Sequence, residues 1–335
     1  MTVVSDQLGR DVAGVARQWV PDSRLGVFDV AVTSAGLAGC TTSREALTAL
    51  RGLAAAAGVA ADIRLLPDGS AGDGAEALVT AAIAPLLREP RISSDRVTEA
   101  LHGETLHVLE RRGAWLRVRA SDGYHAWTHA GYLTTGSAAW ADDWEKRARA
   151  RSLGAELRSE NGRLRLPVGA RAALGADARV ETADGRVWDV AAGIVGSETE
   201  VRAEARLVAT PDWALRWLSG APYLWGGRTE WGVDCSGLAQ AAYAARGVQL
   251  PRDSDLQAVT GCTVEIDPSG LGYQAGDLLF FAEGPRVSHV ALWAGAGRIV
   301  HAALARGGVG WDDLFADTPE AKRLRDALVA VRRVG

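Results

Sequence analysis

The chain has 335 residues, 47% of them hydrophobic, and a formal net charge of −4. This length and apolar content suffice to bury more than one hydrophobic core. The acidic balance provides no basic surface for nucleic acid and argues against electrostatic binding to anionic membranes. We therefore expect no nucleic-acid partner and no membrane partner, while the sequence leaves the oligomeric state open.

The N-terminus gives an expectation about localisation. Residues 1–10 lack a basic region followed by an apolar stretch, so no signal peptide is visible. No run of the chain is long and apolar enough to span a membrane. We expect a cytoplasmic protein, or a secreted one if a leader has been removed.

The first segment, residues 1–77, shows an α/β pattern with no recognisable chemistry. Alternating residues predict strands over 27–32 and 60–66. Thr42 and Glu45 have the spacing of a capping box, which predicts a helix between these strands. The Ala- and Leu-rich stretch over 75–87 predicts a second helix.

The middle of the chain predicts two small β-barrels. Residues 78–137 contain short alternating stretches and the Asp122-Gly123 hairpin signal. Residues 138–209 begin with a charged connector helix and continue with a second set of short strands around Asp184-Gly185. The two sets resemble a diverged repeat of one barrel type.

The last segment, residues 210–335, carries the clearest chemical signal. Turn glycines precede Asp234, which can cap a helix, and Cys235 follows on the first turn of an apolar helical run. A thiol there lies at the positive end of the helix dipole, which favours the thiolate. Free N–H groups at the same helix end can hold an oxyanion.

Two histidines downstream complete a candidate catalytic set. His289 begins one predicted strand and His301 lies at the end of another. One cysteine and two distant histidines suit a papain-like nucleophile, base and orienting residue. Core histidines and a structural cysteine are the alternative interpretation.

The cysteines and histidines also permit a zinc site, which is the second alternative. However, the sequence has neither a Cys-x-x-Cys pair nor a His-x-x-x-His pair, so we expect no metal and no cofactor. The other cysteines, Cys40 and Cys262, are expected to be small buried side chains outside any disulfide framework.

Six short pieces in the last third form a longer pattern. They are Tyr223-x-Trp225-Gly226-Gly227, Asp234-Cys235-Ser236-Gly237, Arg252-Asp253-Ser254, Gly276-Asp277-Leu278-x-Phe280-Phe281, His289-Val290 and His301-Ala302. Together they resemble the NlpC family of bacterial cell-wall cysteine peptidases. Residues 93–133 resemble a bacterial SH3-like domain, and residues 153–209 resemble a second, weaker one. The resemblance implies an α+β multidomain protein in which SH3-like β-barrels and an N-terminal α/β segment precede a papain-like, NlpC-type catalytic domain.

The domain order is similar to that of γ-D-glutamyl-L-diamino acid endopeptidases, which recycle wall peptides. The resemblance implies hydrolysis of the bond between γ-D-Glu and the diamino acid in peptidoglycan-derived peptides with a free N-terminal L-Ala. Diaminopimelate and Lys remain open at the third position. The positions that match peptide-binding positions of the family are Tyr124 and Glu89 near the L-Ala amino group, Asp234, Ser236 and Ser254 along the peptide, and Tyr223 beside the oxyanion.

Three other functions compete with this interpretation. A secreted autolysin acting on intact wall is the nearest alternative. A wall-binding protein with an inactive catalytic domain is disfavoured by the presence of Cys235, His289 and His301. A lipid or acyl transferase on the same core is disfavoured by the SH3-like segments. Asp234 is also a candidate to bind a substrate ammonium, because its carboxylate adjoins the nucleophile.

Overall fold

The computed structural model of the protein describes residues 2–72, 75–160 and 162–335, with side chains from residue 6 onward. The described chain forms an N-terminal α/β domain, two β-barrels and a mixed C-terminal domain, which confirms the predicted fold class. None of its described helices is long and apolar enough to cross a membrane.

The N-terminal domain is a three-stranded sheet covered by two helices. Strands β1 and β2 are antiparallel, and β2 runs parallel to β3 after a helical crossover. Apolar side chains of both helices, among them Val12 and Leu50, pack on Leu37 and Ile63 of the sheet. The elements are α1 (Thr2–Trp19), β1 (Phe28–Thr33), β2 (Gly36–Thr41), α2 (Arg44–Ala56) and β3 (Ala60–Leu65).

Helix α2 begins one residue later than the capping-box spacing predicts. Ser43 is the N-cap, and its Oγ accepts a hydrogen bond from the Ala46 amide at 3.0 Å. Thr42 faces the sheet instead, where its Oγ1 accepts from the Val27 amide at 3.0 Å. The prediction of Thr42 as the cap was therefore wrong, because a contact beside the sheet takes its hydroxyl.

The helix predicted over 75–87 was wrong: this stretch forms β4 and β5 of the first barrel. Ala77, Val79, Ala84 and Leu86 alternate along these strands and enter the barrel core. Pro85 lacks the N–H that a helix interior requires. Pairing with distant strands thus overrides the helix propensity of an Ala- and Leu-rich sequence. The strands are β4 (Glu76–Val79) and β5 (Ile83–Leu87).

The first barrel is a seven-stranded antiparallel sheet in the order β10-β4-β7-β8-β9-β5-β6. It begins two residues before the predicted boundary at 78, since β4 starts at Glu76. The Asp122-Gly123 turn joins β8 to β9, as the hairpin signal predicts. Its remaining strands are β6 (Arg96–Leu101), β7 (Thr105–Arg112), β8 (Trp115–Arg119), β9 (His125–His129) and β10 (Leu133–Gly136).

The connector helix α3 leads into a second barrel with the strand order β13-β12-β16-β15-β14-β11-β17. Trp144 of α3 donates a hydrogen bond from Nε1 to the Gly103 carbonyl at 2.8 Å, which ties the connector to the first barrel. The elements are α3 (Ala138–Arg147), β11 (Ala150–Ser152), β12 (Ala155–Ser159), β13 (Gly162–Leu166), β14 (Arg171–Leu174), β15 (Val180–Glu181), β16 (Val187–Ala192) and β17 (Val195–Ser197).

The C-terminal domain packs helices against a six-stranded antiparallel sheet in the order β20-β25-β21-β22-β23-β24. Apolar residues of α5 and α6 share one core with Phe280, Val290 and Val300 of the sheet. The elements are α4 (Glu198–Arg206), α5 (Thr210–Leu218), β18 (Arg228–Thr229), β19 (Gly232–Val233), α6 (Cys235–Ala244), α7 (Ser254–Gln257), β20 (Cys262–Val264), β21 (Leu278–Phe281), β22 (His289–Gly295), β23 (Arg298–Ala303), β24 (Gly308–Asp313), α8 (Pro319–Ala327) and β25 (Leu328–Arg333).

Charged contacts join the first barrel to the C-terminal domain. The Arg228 amide donates to Glu99 Oε1 at 2.7 Å, and its guanidinium donates to Glu104 at 2.9 and 3.0 Å. The Val168 amide of the second barrel donates to Glu230 at 3.0 Å. These contacts connect the strand pair that precedes α6 to both barrels.

We expect Phe280→Ala to lower the free energy of unfolding by about 3–5 kcal/mol, because it opens a cavity beneath α6. Phe280 is 0% exposed on a central strand of the sheet. Val329→Ala is the matched control on the neighbouring strand β25, since Val329 is 49% exposed. Urea unfolding of both variants measures the difference, and equal losses would contradict the assignment of this core.

Candidate active site

Cys235 is the first residue of α6, and the cap at Asp234 fixes it there. The Gly237 amide donates to Asp234 Oδ1 at 2.7 Å, as expected for an N-cap. A Cβ at Gly237 would lie 2.1 Å from the Gly227 carbonyl oxygen. The absence of a side chain therefore lets the helix start approach the glycine turn closely.

A buried arginine organises this helix start. Arg252 is 1% exposed, and its Nη2 donates to Asp234 Oδ2 at 2.7 Å. Its Nη1 donates to Ser236 Oγ at 2.8 Å, and its Nε donates to Thr98 Oγ1 of the first barrel at 2.7 Å. One guanidinium thus links the residues on either side of Cys235 to the neighbouring domain.

The carboxylate of Asp234 is not open to a substrate ammonium, contrary to the role considered for it. Asp234 is 5% exposed, and both oxygens accept hydrogen bonds, from Gly237, Gly226 and Arg252. The Ser236 hydroxyl is likewise buried between Asp234 and Arg252. Both side chains support the helix start because their polar atoms are directed inward.

The two histidines lie on adjacent strands and form one hydrogen-bonded chain. His289 Nε2 lies 2.8 Å from His301 Nδ1, and His301 Nε2 lies 2.8 Å from Asp312 Oδ2. The hydrogen bond from His301 lowers the pKa of Asp312, so this carboxylate is ionised and accepts. Since His301 Nε2–H donates to Asp312, His301 Nδ1 accepts from His289 Nε2–H, which leaves Nδ1 of His289 as the basic nitrogen.

Asp312 was not anticipated from the sequence. It lies on β24, which pairs with β23, and Arg306 forms an ion pair with its other oxygen. Asp312 and Asp313 are adjacent acidic residues near a strand end, a pattern that is common on protein surfaces and does not indicate a site. The side chain of Asp312 is 37% exposed. Only the register between β23 and β24 brings this carboxylate to His301.

Burial sets the protonation states of the candidate nucleophile and base. It raises the pKa of Cys235 to about 12, with a further contribution from the negative charge of Asp234. It lowers the pKa of His289 to about 3, with a further contribution from His301. Burial thus disfavours both the thiolate and the imidazolium, and it opposes the stabilisation of the thiolate expected from the helix dipole.

The other two cysteines differ from each other in exposure. Cys40 is buried, as predicted. Cys262 is exposed on β20, an edge strand of the sheet, so the prediction that it is buried was wrong. Among the described residues, no group of three or more His, Cys, Asp or Glu side chains is arranged to hold a metal ion.

Two of the predicted peptide-binding residues lie close to the helix start. Burial raises the pKa of Tyr223 to about 12, with further contributions from Cys235 when it is ionised and from the carboxylate of Asp234, so its phenol stays protonated at neutral pH. Ser254 is buried as the first residue of α7, directly after Arg252 and Asp253.

Tyr124 lies on the first barrel, where its amide donates to Asp122 Oδ1 at 3.1 Å. Burial, and next the negative charge of Asp253, raise its pKa. Asp253 is thus an acidic neighbour of Tyr124, and the sequence had offered it only as part of a motif. Glu89 is exposed and pairs with Arg91 at 2.7 Å; its described hydrogen bonds and ion pair stay within its own loop.

The six-stranded sheet and the helix that begins at Cys235 form a papain-like domain, with His289 and His301 on adjacent strands of the sheet. Residues 220–329 match the NlpC/P60 family. Residues 86–130 match the bacterial dipeptidyl-peptidase SH3 domain. The chain therefore contains an NlpC/P60 domain preceded by a bacterial SH3 domain, as the sequence motifs predict.

The curated relatives are named as peptidases. A γ-D-glutamyl-L-lysine dipeptidyl-peptidase from Bacillus subtilis is 45% identical over 24% of this chain and 27% of its own length. A protein of the same name from Bacillus cereus is 40% identical over 26% of each chain. These two matches span about a quarter of the relatives' length. Dipeptidyl-peptidase 6 of Lysinibacillus sphaericus is 28% identical over 72% of this chain and 93% of its own.

Solved structures share the fold over a larger part of the chain. An NlpC/P60 family protein from Bacillus cereus has a TM-score of 0.61 and 22% identity, covering 77% of this chain and 99% of its own. An NlpC/P60 endopeptidase from Photobacterium damselae has a TM-score of 0.54 and 12% identity, covering 79% of this chain and 72% of its own. At these identities the likeness shows the fold alone.

We expect Asp312→Asn to lower kcat by about tenfold to a hundredfold, less than removal of a general base, which costs about 10²- to 10⁴-fold. The side-chain amide introduced by this substitution keeps an oxygen that can accept from His301. It removes the negative charge that favours the His301 tautomer protonated on Nε2. Asp313→Asn is the matched control on the same strand, because the Asp313 carboxylate accepts from the Phe315 amide instead. Steady-state rates measure both variants, and equal rates for Asp312→Asn and the parent would contradict the role of Asp312.

The buried His289 also makes stability depend on pH. Its pKa falls from 6.5 to about 3 on folding, so between these values the unfolded chain binds a proton that the folded chain does not. Stability therefore falls as the pH drops below 6.5, by at most about 1.4 kcal/mol per pH unit from this group. In urea unfolding from pH 7.5 to 4.5, the free energy of unfolding of His289→Gln should depend less on pH than that of the parent protein. A profile parallel to that of the parent would contradict the depressed pKa.

Proposed function

We propose that the chain is a cysteine peptidase that hydrolyses the γ-D-glutamyl–diamino acid bond in peptidoglycan-derived peptides with a free N-terminal L-Ala, as in murein peptide recycling. The observation that carries the chemistry is the hydrogen-bonded chain His289–His301–Asp312 on the strands that pack against α6. The backbone amide of Val290, the residue after His289, hydrogen-bonds to the Cys235 sulfur, which brings this strand to the helix start. The peptidase names of the relatives support the substrate class.

The catalytic cycle begins from a neutral thiol and a neutral imidazole. Cys235 Sγ attacks the γ-glutamyl carbonyl carbon while its proton moves to Nδ1 of His289. His301 and Asp312 orient the ring and stabilise the positive charge that it gains. His289 then donates the proton to the departing amine, and water hydrolyses the thioester by the same base.

The oxyanion forms at the N-terminus of α6. The first amide groups of a helix have no partner within the helix, so they are available as donors. Tyr223 supplies a protonated phenol beside Cys235, since its pKa is raised to about 12. These donors stabilise the charge that develops on the carbonyl oxygen during attack.

Tyr124 and Asp253 are the groups that we propose for the substrate amino group. Asp234 is the candidate that adjoins the nucleophile, but hydrogen bonds occupy its carboxylate. Glu89 is the acidic residue that the resemblance implies beside Tyr124, but it pairs with Arg91 in its own loop. Asp253 retains 28% exposure of its side chain and lies near Tyr124. A substrate ammonium bound there contacts a carboxylate and a phenol oxygen, whereas an acylated amine has no charge to offer.

We expect the protein to release the diamino acid from L-Ala-γ-D-Glu-L-Lys or its diaminopimelate counterpart, with mass spectrometry as the readout. N-acetylation should lower kcat/KM by about tenfold to a hundredfold, because the acylated nitrogen has no positive charge and loses its charge-assisted hydrogen bond to Asp253. Tyr124→Phe and Asp253→Asn should reduce the difference in kcat/KM between the free and the N-acetylated peptide. Asp317→Asn is the control at an exposed loop residue and should leave this difference unchanged. Cys235→Ala should abolish turnover, and EDTA should leave it unchanged.

Intact sacculi provide the decisive comparison with an autolysin, because the L-Ala amine is blocked in the wall. Equal rates on free and N-acetylated tripeptides, together with digestion of sacculi, would contradict the recycling assignment and favour the autolysin. Full turnover by Cys235→Ala would contradict the cysteine-peptidase mechanism. Loss of turnover in EDTA would favour a metal-dependent reaction.

A further inference from the structure

The N-terminal domain reaches the proposed amine-binding end of the cleft through one arginine. Arg24 lies in the loop between α1 and β1, and its carbonyl accepts from the His125 amide at 3.0 Å. The next residue, Leu25, lies against Gly123, which belongs to the hairpin that carries Tyr124. The loop is thus seated on the part of the first barrel that faces the C-terminal domain.

The side chain of Arg24 crosses to the C-terminal domain. Its Nη1 donates to Asp253 Oδ2 and to Asp255 Oδ1, both at 2.8 Å. Its Nε donates to Asp22 of its own loop at 2.9 Å. The Arg24 side chain is 29% exposed and those of Asp253 and Asp255 are 28% and 32% exposed, so solvent and small solutes reach this cluster.

The charge of the cluster leaves room for a second cation. Three carboxylates, those of Asp22, Asp253 and Asp255, face one guanidinium. Asp253 follows Arg252, whose own charge is already paired with Asp234. A substrate ammonium at Asp253 would therefore share that carboxylate with Arg24 at close range, and two like charges repel each other there.

We propose that Arg24 is a specificity-determining residue, an internal counter-ion that competes with the substrate amino group for Asp253. The inference rests on the proposed function, because it assigns the amine to Asp253. Through Arg24, the N-terminal domain weakens the binding of peptides with a free amine and leaves the binding of N-blocked peptides unchanged. It thereby reduces the preference for peptides with a free amine over N-blocked peptides that Asp253 and Tyr124 create.

The test measures binding apart from chemistry, by isothermal titration of Cys235→Ala protein with L-Ala-γ-D-Glu-L-Lys and its N-acetylated form. Adding Arg24→Gln to this protein should lower the Kd of the free peptide by about tenfold. This is the scale expected when one positive charge that repels the bound ammonium is removed. The Kd of the N-acetylated peptide should not change. Arg24→Lys keeps the charge and should behave like the parent.

Arg64→Gln is the matched control. Arg64 donates to Glu110 of the first barrel at 3.0 Å, so this variant also removes a charge that pairs the N-terminal domain with its neighbour. It leaves the contacts of Asp253 unchanged. Thermal unfolding of each variant checks that the domain stays folded. Two outcomes would contradict the inference alone. In one, the Kd of the free peptide stays the same or rises in Arg24→Gln; in the other, the Kd falls equally for both peptides. Absence of binding by the free peptide to any variant would contradict the proposed function and the inference together.

Discussion

The buried ion pair between Arg252 and Asp234 holds the candidate active site together. Asp234 caps the helix that begins at Cys235, and Arg252 joins that cap to Ser236 and to Thr98 of the first barrel. A buried pair of this kind is costly to desolvate and is seldom retained for stability alone. Its hydrogen bonds fix the direction of the helix start, and therefore the place of the thiol relative to the sheet.

Burial at this helix start also determines how the proposed chemistry begins. The same enclosure that fixes Cys235 and His289 removes the water that would stabilise a thiolate and an imidazolium. The mechanism that we propose begins from a neutral thiol and a neutral imidazole, so the oxyanion donors and the His301–Asp312 pair act when charge develops. Preorganised dipoles contribute most at that moment, because they need no reorientation.

The domains meet where the substrate is proposed to bind, and each of three domains supplies part of that end of the cleft. The first barrel supplies Tyr124, the C-terminal domain supplies Asp253, and the N-terminal domain supplies Arg24. Ion pairs such as Arg64–Glu110 and Arg228–Glu104 keep these surfaces together. Specificity in this arrangement is a property of the assembly of domains.

Local turn, cap and alternation signals in the sequence encode the fold class, the helix start at Cys235 and the strands carrying His289 and His301. The same signals do not reveal that residues 76–79 and 83–87 form strands, because pairing with distant strands outweighs their local helix propensity. Tertiary contacts also place Asp312, Asp253 and Arg24 beside their partners. These contacts join residues far apart in the chain or on neighbouring strands, and no local pattern specifies such a register.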